Sequence, residues 1–168
     1  MSGESASGGI CRSVSELSND DAYVKWADDL VRYATVLVGP DDALDLVADV
    51  FTRILAGGTE RWSKVRQPDH YLIRATTNEA RAHARSGARR RQREGTMFSR
   101  AAPASELLRD RDVAAAIGRL SVRQRAVLYL LYWEDMTEAG VAGVLGIAEG
   151  SVRRHAQRGR NAMKMALT

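Results

Sequence analysis

The chain has 168 residues, a hydrophobic share of 45%, a formal net charge of +4 and an isoelectric point near 9.6. This length suits one domain of ordinary size or two small ones, and no apolar run approaches the roughly 18–20 residues that a membrane span requires. The polar, Ser/Gly-rich start lacks the apolar segment of a signal peptide, so we expect a cytoplasmic protein that does not contact a membrane.

Few residues are arranged for catalysis or metal binding. Cys11 is the only cysteine, so no internal disulfide is expected. His70, His83 and His155 show no ligand spacing with Cys11 or with one another. The chain has no phosphate-binding glycine loop, no nucleophile elbow and no paired carboxylates. We therefore expect no cofactor, no metal and no enzymatic activity.

Charge is distributed unevenly along the chain. Residues 1–55 carry a net charge of −6, residues 56–100 carry +7 and residues 101–168 carry +3. An acidic front followed by two basic blocks suggests two partners of different character. The basic blocks suit a polyanion such as DNA. Only three of the 25 bases are lysine; this bias favours bidentate arginine contacts, although a GC-rich genome would produce it too.

The first half of the chain predicts a polar leader and three helices. We interpret residues 1–18 as disordered. A first helix follows the capping residues 19–21 and ends at Gly39-Pro40. The second begins at Asp41-Asp42, ends at Gly57-Gly58 and has the apolar stripe Leu44, Val47, Phe51, Ile54 and Leu55.

After a predicted loop with the aromatic Trp62, a third long helix starts at Asp69. Its expected apolar face is thin and consists of Tyr71, Leu72, Ala75, Ala82 and possibly Ala80. The breaker-rich residues 95–107 then predict a flexible linker that lets two domains move apart.

The second half of the chain is predicted to be helical as well. One apolar stripe consists of Val113, Ala116, Ile117 and Leu120, and Ser121 is placed to cap the next helix. No segment alternates convincingly as a strand. We therefore predict an all-α protein of two small helical domains, residues 19–94 and 108–168, joined by a flexible linker, the second being a helix-turn-helix domain.

The stretch "TEAGVAGVLGIAEGSVRRHAQRGR" (137–160) carries the helix-turn-helix pattern. Ala142 is small enough for close helix packing, Gly146 sits at the turn, and Val152 points inward from the second helix. Such a helix places its first residues at base edges in the major groove. The predicted reading set is Ser151, Arg153, Arg154, Gln157 and Arg158.

A second basic block lies in the third helix. Six arginines fall within residues 81–93, which contain no acid. Arg81, Arg85 and Arg89 share a helical face that could follow a phosphate backbone. Few aromatics are available for base stacking, so we expect an unpaired base to be held in a pocket, with the loop 58–68 as its wall.

Two motif blocks in this order resemble bacterial RNA polymerase sigma factors. They are "DALDLVADVF" (42–51) with "W…VRQPDHYLIRATTNEARAHARSGARRR" (62–91), and "LSVRQRAVLYLLYWEDMTEAGVAGVLGIAEGSVRRHAQRGR" (120–160). The chain is similar to the small two-domain class called extracytoplasmic-function sigma factors, of the actinobacterial type. The resemblance covers roughly residues 20–165.

The resemblance implies a non-catalytic subunit that binds core RNA polymerase, directs it to promoters and helps open the minus-ten region. The second helix would bind the clamp helices of the largest subunit through Asp45, Asp49 and Phe51. The second domain would read the minus-thirty-five element and contact the polymerase flap. The set implied for the minus-ten element is Trp62, Lys64, Arg66, Tyr71, Arg74, Asn78, Arg81, Arg85 and Arg89.

The resemblance also implies a monomer when free, association with the nucleoid and, in many relatives, an anti-sigma partner. The sequence departs from the family pattern at Ala48, Ala82, Ser121, Gly140 and Gly159. The two glycines lie inside predicted helices, where each costs about 0.5–1 kcal/mol relative to alanine.

Two alternative functions remain open at this level. One is a helix-turn-helix regulator that binds duplex DNA without polymerase. The other is a degenerate sigma-like module that binds proteins but cannot open DNA.

Overall fold

The computed structural model describes residues 19–94 and 111–167, which form eight α-helices and no strand. Side-chain surroundings are described for residues 25–87, apart from Thr59, and for residues 112–167. The helices are α1 (Asn19–Val38), α2 (Pro40–Ala56), α3 (Thr59–Ser63), α4 (Pro68–Glu94), α5 (Arg111–Gly118), α6 (Val122–Tyr132), α7 (Glu138–Leu145) and α8 (Glu149–Ala166). The predicted all-α class is confirmed. The leader, Cys11 and the predicted linker lie outside the described residues.

Helix ends in the first half follow the predicted signals. Between α1 and α2, Gly39 adopts φ 98°, a conformation that favours glycine because it has no Cβ. Pro40 then occupies the first turn of α2, and Asp41 and Asp42 place negative charge at its positive end. At its other end, α2 is closed by Gly57, whose backbone N–H donates to carbonyls of the last turn.

The structure corrects two local predictions. The segment predicted as a loop before the third helix contains the short helix α3. In α2, Leu44 and Leu55 are 62% and 51% exposed, and the buried stripe includes Ala43, Leu46 and Val50 instead. At 3.6 residues per turn the buried side chains of α2 span a sector of roughly 140°, and Leu44 and Leu55 lie just beyond its edge.

Helix α4 also buries a different face from the one expected. Leu72 and Ala80 are buried as predicted, but Ile73, Thr76 and Thr77 complete the face, while Tyr71 is 41% exposed. The Thr77 hydroxyl donates to the Ile73 carbonyl, so this buried polar group is satisfied within the helix.

The helices form an N-terminal lobe (α1–α4) and a C-terminal lobe (α5–α8) that share one hydrophobic core. Tyr33 of α1 and Tyr129 of α6 pack with ring centroids 5.1 Å apart, and both are buried. The Tyr33 hydroxyl is hydrogen-bonded to the Thr77 hydroxyl at 2.7 Å. Burial raises the pKa of Tyr33, so this phenol stays neutral.

Arg125 of α6 joins the two lobes through backbone carbonyls. Its guanidinium donates to the carbonyl oxygen of Leu37 at the end of α1, at 2.6 Å, and to those of Gly118 and Leu120 in its own lobe. A cation at the carbonyl end of α1 is favourable because that end carries partial negative charge. The lobes are therefore packed against each other in this structure.

None of the described helices is long and apolar enough to cross a membrane. Within the same part of the chain, no group of three or more His, Cys, Asp or Glu side chains is placed to hold a metal ion.

Candidate nucleic-acid interface

The predicted helix-turn-helix is formed by α7 and α8. The Thr137 side chain caps α7 by accepting a hydrogen bond from the Gly140 backbone N–H. Gly146 closes α7 in the left-handed conformation with φ 63°. Val141, Val144 and Val152 are fully buried between the helices. The chain therefore turns where the sequence predicts and buries the residues that fix the angle between α7 and α8.

Helix α8 has one buried face and one exposed basic face. Val152 and Ala156 face the core, and Gly159 lies against Leu128 of α6. Val152 faces inward as predicted, and all five residues of the predicted reading set lie on the outward side of the helix. The outward side chains are the half-buried Ser151 and the exposed Arg153, Arg154, Gln157, Arg158 and Arg160.

Gly159 has a packing role that its helix propensity does not reveal. A Cβ built at this position would lie 2.8 Å from Leu128 Cδ1, which is closer than real Cβ contacts. The absent side chain therefore lets α8 approach α6. The cost expected for an interior glycine is offset at this position by closer packing of the two helices.

Several basic side chains of α8 already have partners within the protein. Arg153 donates to Glu138 at 2.6 Å and to Glu149 at 3.3 Å. Arg154 donates to the Ser151 hydroxyl at 3.1 Å. Arg153 must leave two carboxylates before it can contact DNA, whereas Arg154 has only a neutral partner among the described residues. The two neighbouring arginines are therefore not equivalent.

Five predicted minus-ten residues lie along one stripe of α4. At 3.6 residues per turn, they fall within a sector of roughly 80°. The stripe has two edges with different surroundings. Tyr71 and Asn78 lie at the edge beside α2, whereas Arg74, Arg81 and Arg85 lie toward the C-terminal lobe.

A small cavity of about 190 Å³ opens between α2 and α4 at the Tyr71 edge. Arg53 and Glu79 form a two-point ion pair at its lining, with Arg53 Nη2 donating to Glu79 Oε1 at 3.0 Å. Tyr71 and Asn78 add an aromatic ring and an amide. The cavity thus combines a stacking surface with donors and acceptors, which is what the binding of one unpaired base requires.

Trp62 lies in the core and does not line an open pocket. It is 8% exposed and packs edge-to-face on Trp26 and Tyr71, with centroids 6.4 and 6.2 Å away. The expected pocket wall at 58–68 is therefore replaced by a buried aromatic cluster that supports Tyr71. Lys64 is exposed and paired with Glu60 at 2.9 Å, and Arg66 is exposed.

The three stripe arginines meet the C-terminal lobe. Arg74 donates to the carbonyl oxygens of Val144 and Gly143, at 2.8 and 2.5 Å. Arg81 and Arg85 line a second cavity together with Arg123 of α6 and His155 of α8. Arg89 belongs to α4, but its side chain lies outside the described residues.

The exposed face of α2 is acidic with apolar flanks. Asp45 and Asp49 are exposed, and Leu44 and Leu55 lie beside them on the surface. Phe51 is 5% exposed and faces the core, so it cannot belong to this surface as the resemblance implied. Leu44 and Leu55 are surface residues that the predicted apolar stripe had placed inside, because they lie just beyond the edge of the buried sector.

The basic residues between the lobes perturb one another. Burial lowers the pKa of Arg123, and Arg81 adds to that effect. Burial also lowers the pKa of His155, followed by the charges of Arg123, Arg158, Arg154 and Arg81. Sequence reasoning missed Arg123, and no local pattern distinguishes it from other exposed arginines of an amphipathic helix.

Comparisons with known proteins bear on the C-terminal domain and on the fold of the chain. Residues 110–163 match the family described as "Sigma-70, region 4". The fold resembles that of the sigma factor RpoE from Bartonella quintana, solved in complex with the anti-sigma factor NepR. The TM-score is 0.71, with 23% sequence identity over 88% of this chain and 95% of that one. A search of curated proteins found no match.

The matched segment contains the entire helix-turn-helix, and the similarity in fold includes both lobes. The resemblance seen in the two motif blocks is thereby confirmed, while the actinobacterial type stays a prediction. Residues 110–163 thus carry a domain similar to sigma-70 region 4, and the fold of the chain is similar to that of a solved sigma factor.

Proposed function

We propose that this chain is a sigma factor, which binds core RNA polymerase in transcription initiation and grips promoters at two points, with α8 on the minus-thirty-five element and the stripe of α4 on the minus-ten element. The observation that carries the first contact is the outward basic face of α8 on a correctly closed helix-turn-helix. Arg and Gln side chains at the start of such a helix read guanine and adenine edges in the major groove. Arg158 lies further along α8 and is placed for a phosphate contact.

At the minus-ten element, the cavity between α2 and α4 takes one flipped base. Tyr71 offers a ring face and Asn78 an amide, while the Arg53–Glu79 pair fixes the distance between the two helices. Arg74, Arg81 and Arg85 then hold the phosphates of the non-template strand. Strand opening follows from capture of that base, without nucleotide hydrolysis by this chain.

The acidic face of α2 binds the clamp helices of the largest polymerase subunit. Asp45 and Asp49 supply charge, and Leu44 supplies apolar area that is 62% exposed in the free chain. The C-terminal lobe contacts the polymerase flap. This assignment places the protein in the cytoplasm, at the nucleoid.

The relative from Bartonella quintana was solved with an anti-sigma factor. By analogy, an anti-sigma partner is proposed for this chain too. Such a partner would bind a monomeric chain whose lobes are packed, the arrangement in which Arg74 is hydrogen-bonded to carbonyls of α7.

Run-off transcription with purified core polymerase tests the proposal. The complete chain should start transcripts at promoters that core polymerase alone ignores. Arg154→Ala should reduce promoter affinity and lower the slope of log affinity against log salt by about 1. Asn78→Ala should leave promoter binding nearly intact but reduce opening, as measured by permanganate reactivity of unpaired thymines.

Arg119→Gln is the matched control, because it removes one exposed positive charge that lies outside both proposed DNA surfaces. Duplex binding without co-purification of polymerase would favour the plain regulator. Polymerase binding without opening at any promoter would favour the degenerate module.

A further inference from the structure

The second cavity lies between the lobes and collects basic groups from three helices. We call it the interlobe cleft. It has a volume of about 520 Å³. Four of its seven lining residues are basic and none is acidic. The lining residues are Arg81, Ala84, Arg85, Ser121, Val122, Arg123 and His155.

None of the residues that line the cleft carries a negative charge that could neutralise this cluster. The Nε atom of Arg123 is buried and has no hydrogen-bond partner. A buried donor without a partner is costly, and neighbouring like charges add to that cost. Ser121 and Val122 bring the N-terminal end of α6 to the same cleft, where the helix carries partial positive charge.

We propose that the interlobe cleft binds a small phosphate-bearing anion with more than one negative charge, the class that includes pyrophosphate and nucleoside polyphosphates. Arginine forks match phosphate oxygens in pairs, and Arg123 supplies the donor that lacks a partner. A volume of about 520 Å³ falls in the range of small-molecule sites and is too small for a DNA duplex.

The cleft takes residues from both lobes, so its ligand holds the lobes together. Arg81 and Arg85 belong to α4, Arg123 to α6 and His155 to α8. An anion bound between them stabilises the packed arrangement and withdraws Arg81 and Arg85 from solvent. The assignment rests on the cleft itself and stands whether or not the proposed promoter contacts are correct.

Calorimetric titration of the complete chain with pyrophosphate at constant ionic strength is the direct test. Saturable binding is expected, together with an upward shift of the melting temperature. Arg123→Gln should weaken binding about tenfold, because one charged hydrogen-bonding group is lost. Arg123→Lys keeps the charge without the fork and should fall in between. Arg119→Gln, an exposed arginine outside the cleft, should bind like the unchanged protein.

The pKa of His155 provides a second measurement, which a purely structural effect of the variants would not change. The groups that act on it are Arg123 from α6, Arg154 and Arg158 from its own helix, and Arg81 from α4. A bound anion should raise its pKa, as followed by the imidazole proton shift against pH, with and without pyrophosphate. Adenosine triphosphate in place of pyrophosphate tells whether a nucleoside adds affinity.

Three results would overturn the proposal. Pyrophosphate could fail to bind, it could bind equally to the Arg123→Gln and Arg119→Gln variants, or only duplex DNA could shift the His155 signal. The last result would make the cleft a DNA contact. Circular dichroism of each variant shows whether a loss of binding reflects the cleft or a loss of fold.

Discussion

Arg74 of α4 and Val144 of α7 are joined by a hydrogen bond of 2.8 Å from the guanidinium Nε to the backbone carbonyl oxygen. A second bond from Nη2 reaches the Gly143 carbonyl. A residue expected at the minus-ten strand thus caps α7, the first helix of the helix-turn-helix. In the packed arrangement of the lobes, two donor atoms of Arg74 are therefore engaged by α7.

Arg74→Ala should therefore loosen the packing of the two lobes. The two bonds go to carbonyls at a partly exposed site, so we expect about 1 kcal/mol of lost interlobe stability. Small-angle X-ray scattering should show a larger radius of gyration. Arg66→Ala removes the same charge from an exposed site and is the control. Identical scattering curves for both variants would contradict the role of Arg74.

Glu138→Gln should strengthen binding to duplex DNA. Arg153 is held by Glu138 at 2.6 Å, so removing that carboxylate leaves the arginine with only its longer contact to Glu149 and also removes a negative charge beside the proposed DNA surface. Fluorescence anisotropy with a minus-thirty-five duplex should show roughly two- to fivefold tighter binding, in line with the energy of an exposed ion pair. Asp28→Asn changes net charge equally at an exposed site on α1. Equal gains in both variants would mean that only net charge matters.

Two glycine substitutions should change stability in opposite directions. Gly159→Ala places a Cβ against Leu128, and we expect a net loss of about 1 kcal/mol because overpacking exceeds the gain in helix propensity. Gly143→Ala in α7 meets no atom within 4 Å and should gain about 0.5–1 kcal/mol. Urea denaturation measures both. If the added Cβ clashes with Leu128, the loss caused by Gly159→Ala should disappear when the substitution is made in a Leu128→Ala background. A gain in stability for Gly159→Ala alone would contradict the clash.

Stability should fall as the pH drops through the ordinary histidine pKa of about 6.5. Burial and the surrounding arginines lower the pKa of His155 in the folded state. The unfolded chain therefore binds a proton before the folded one does, so the free energy of unfolding decreases toward acid. In His155→Gln the slope of unfolding free energy between pH 7.5 and 5.5 should be smaller. Unchanged slopes would show that His155 does not contribute.

Leu44→Ala and Asp45→Asn should each weaken binding to core polymerase without lowering the melting temperature, because both side chains are exposed. We expect losses of roughly five- to tenfold, as for side chains that become covered in an interface. Glu60→Gln changes the same charge on α3 and should bind normally. A drop in melting temperature for Leu44→Ala would instead indicate that the side chain belongs to the core.

Local chemistry determined the helices and their ends. Gly39-Pro40, the Ser121 cap and the turn at Gly146 act within a few residues, so the sequence alone predicted them; the structure adds that Gln124 completes a capping box with Ser121. The inward and outward faces of α8 followed from helical spacing for the same reason. The burial of Leu44 and Phe51 was harder to predict, because the apolar residues of α2 span a wide sector. Only the helices packed against α2 decide which edge of that sector is buried.

The sequence by itself determined an all-α chain with a helix-turn-helix, a basic α4 and an acidic α2, since each depends on spacing along one helix. Only the tertiary structure decided that Arg74 caps α7, that Trp62 supports Tyr71 from the core and that Arg81, Arg85, Arg123 and His155 meet in one cleft. These relationships join residues up to 74 positions apart, and helix periodicity carries no information about which helices face each other.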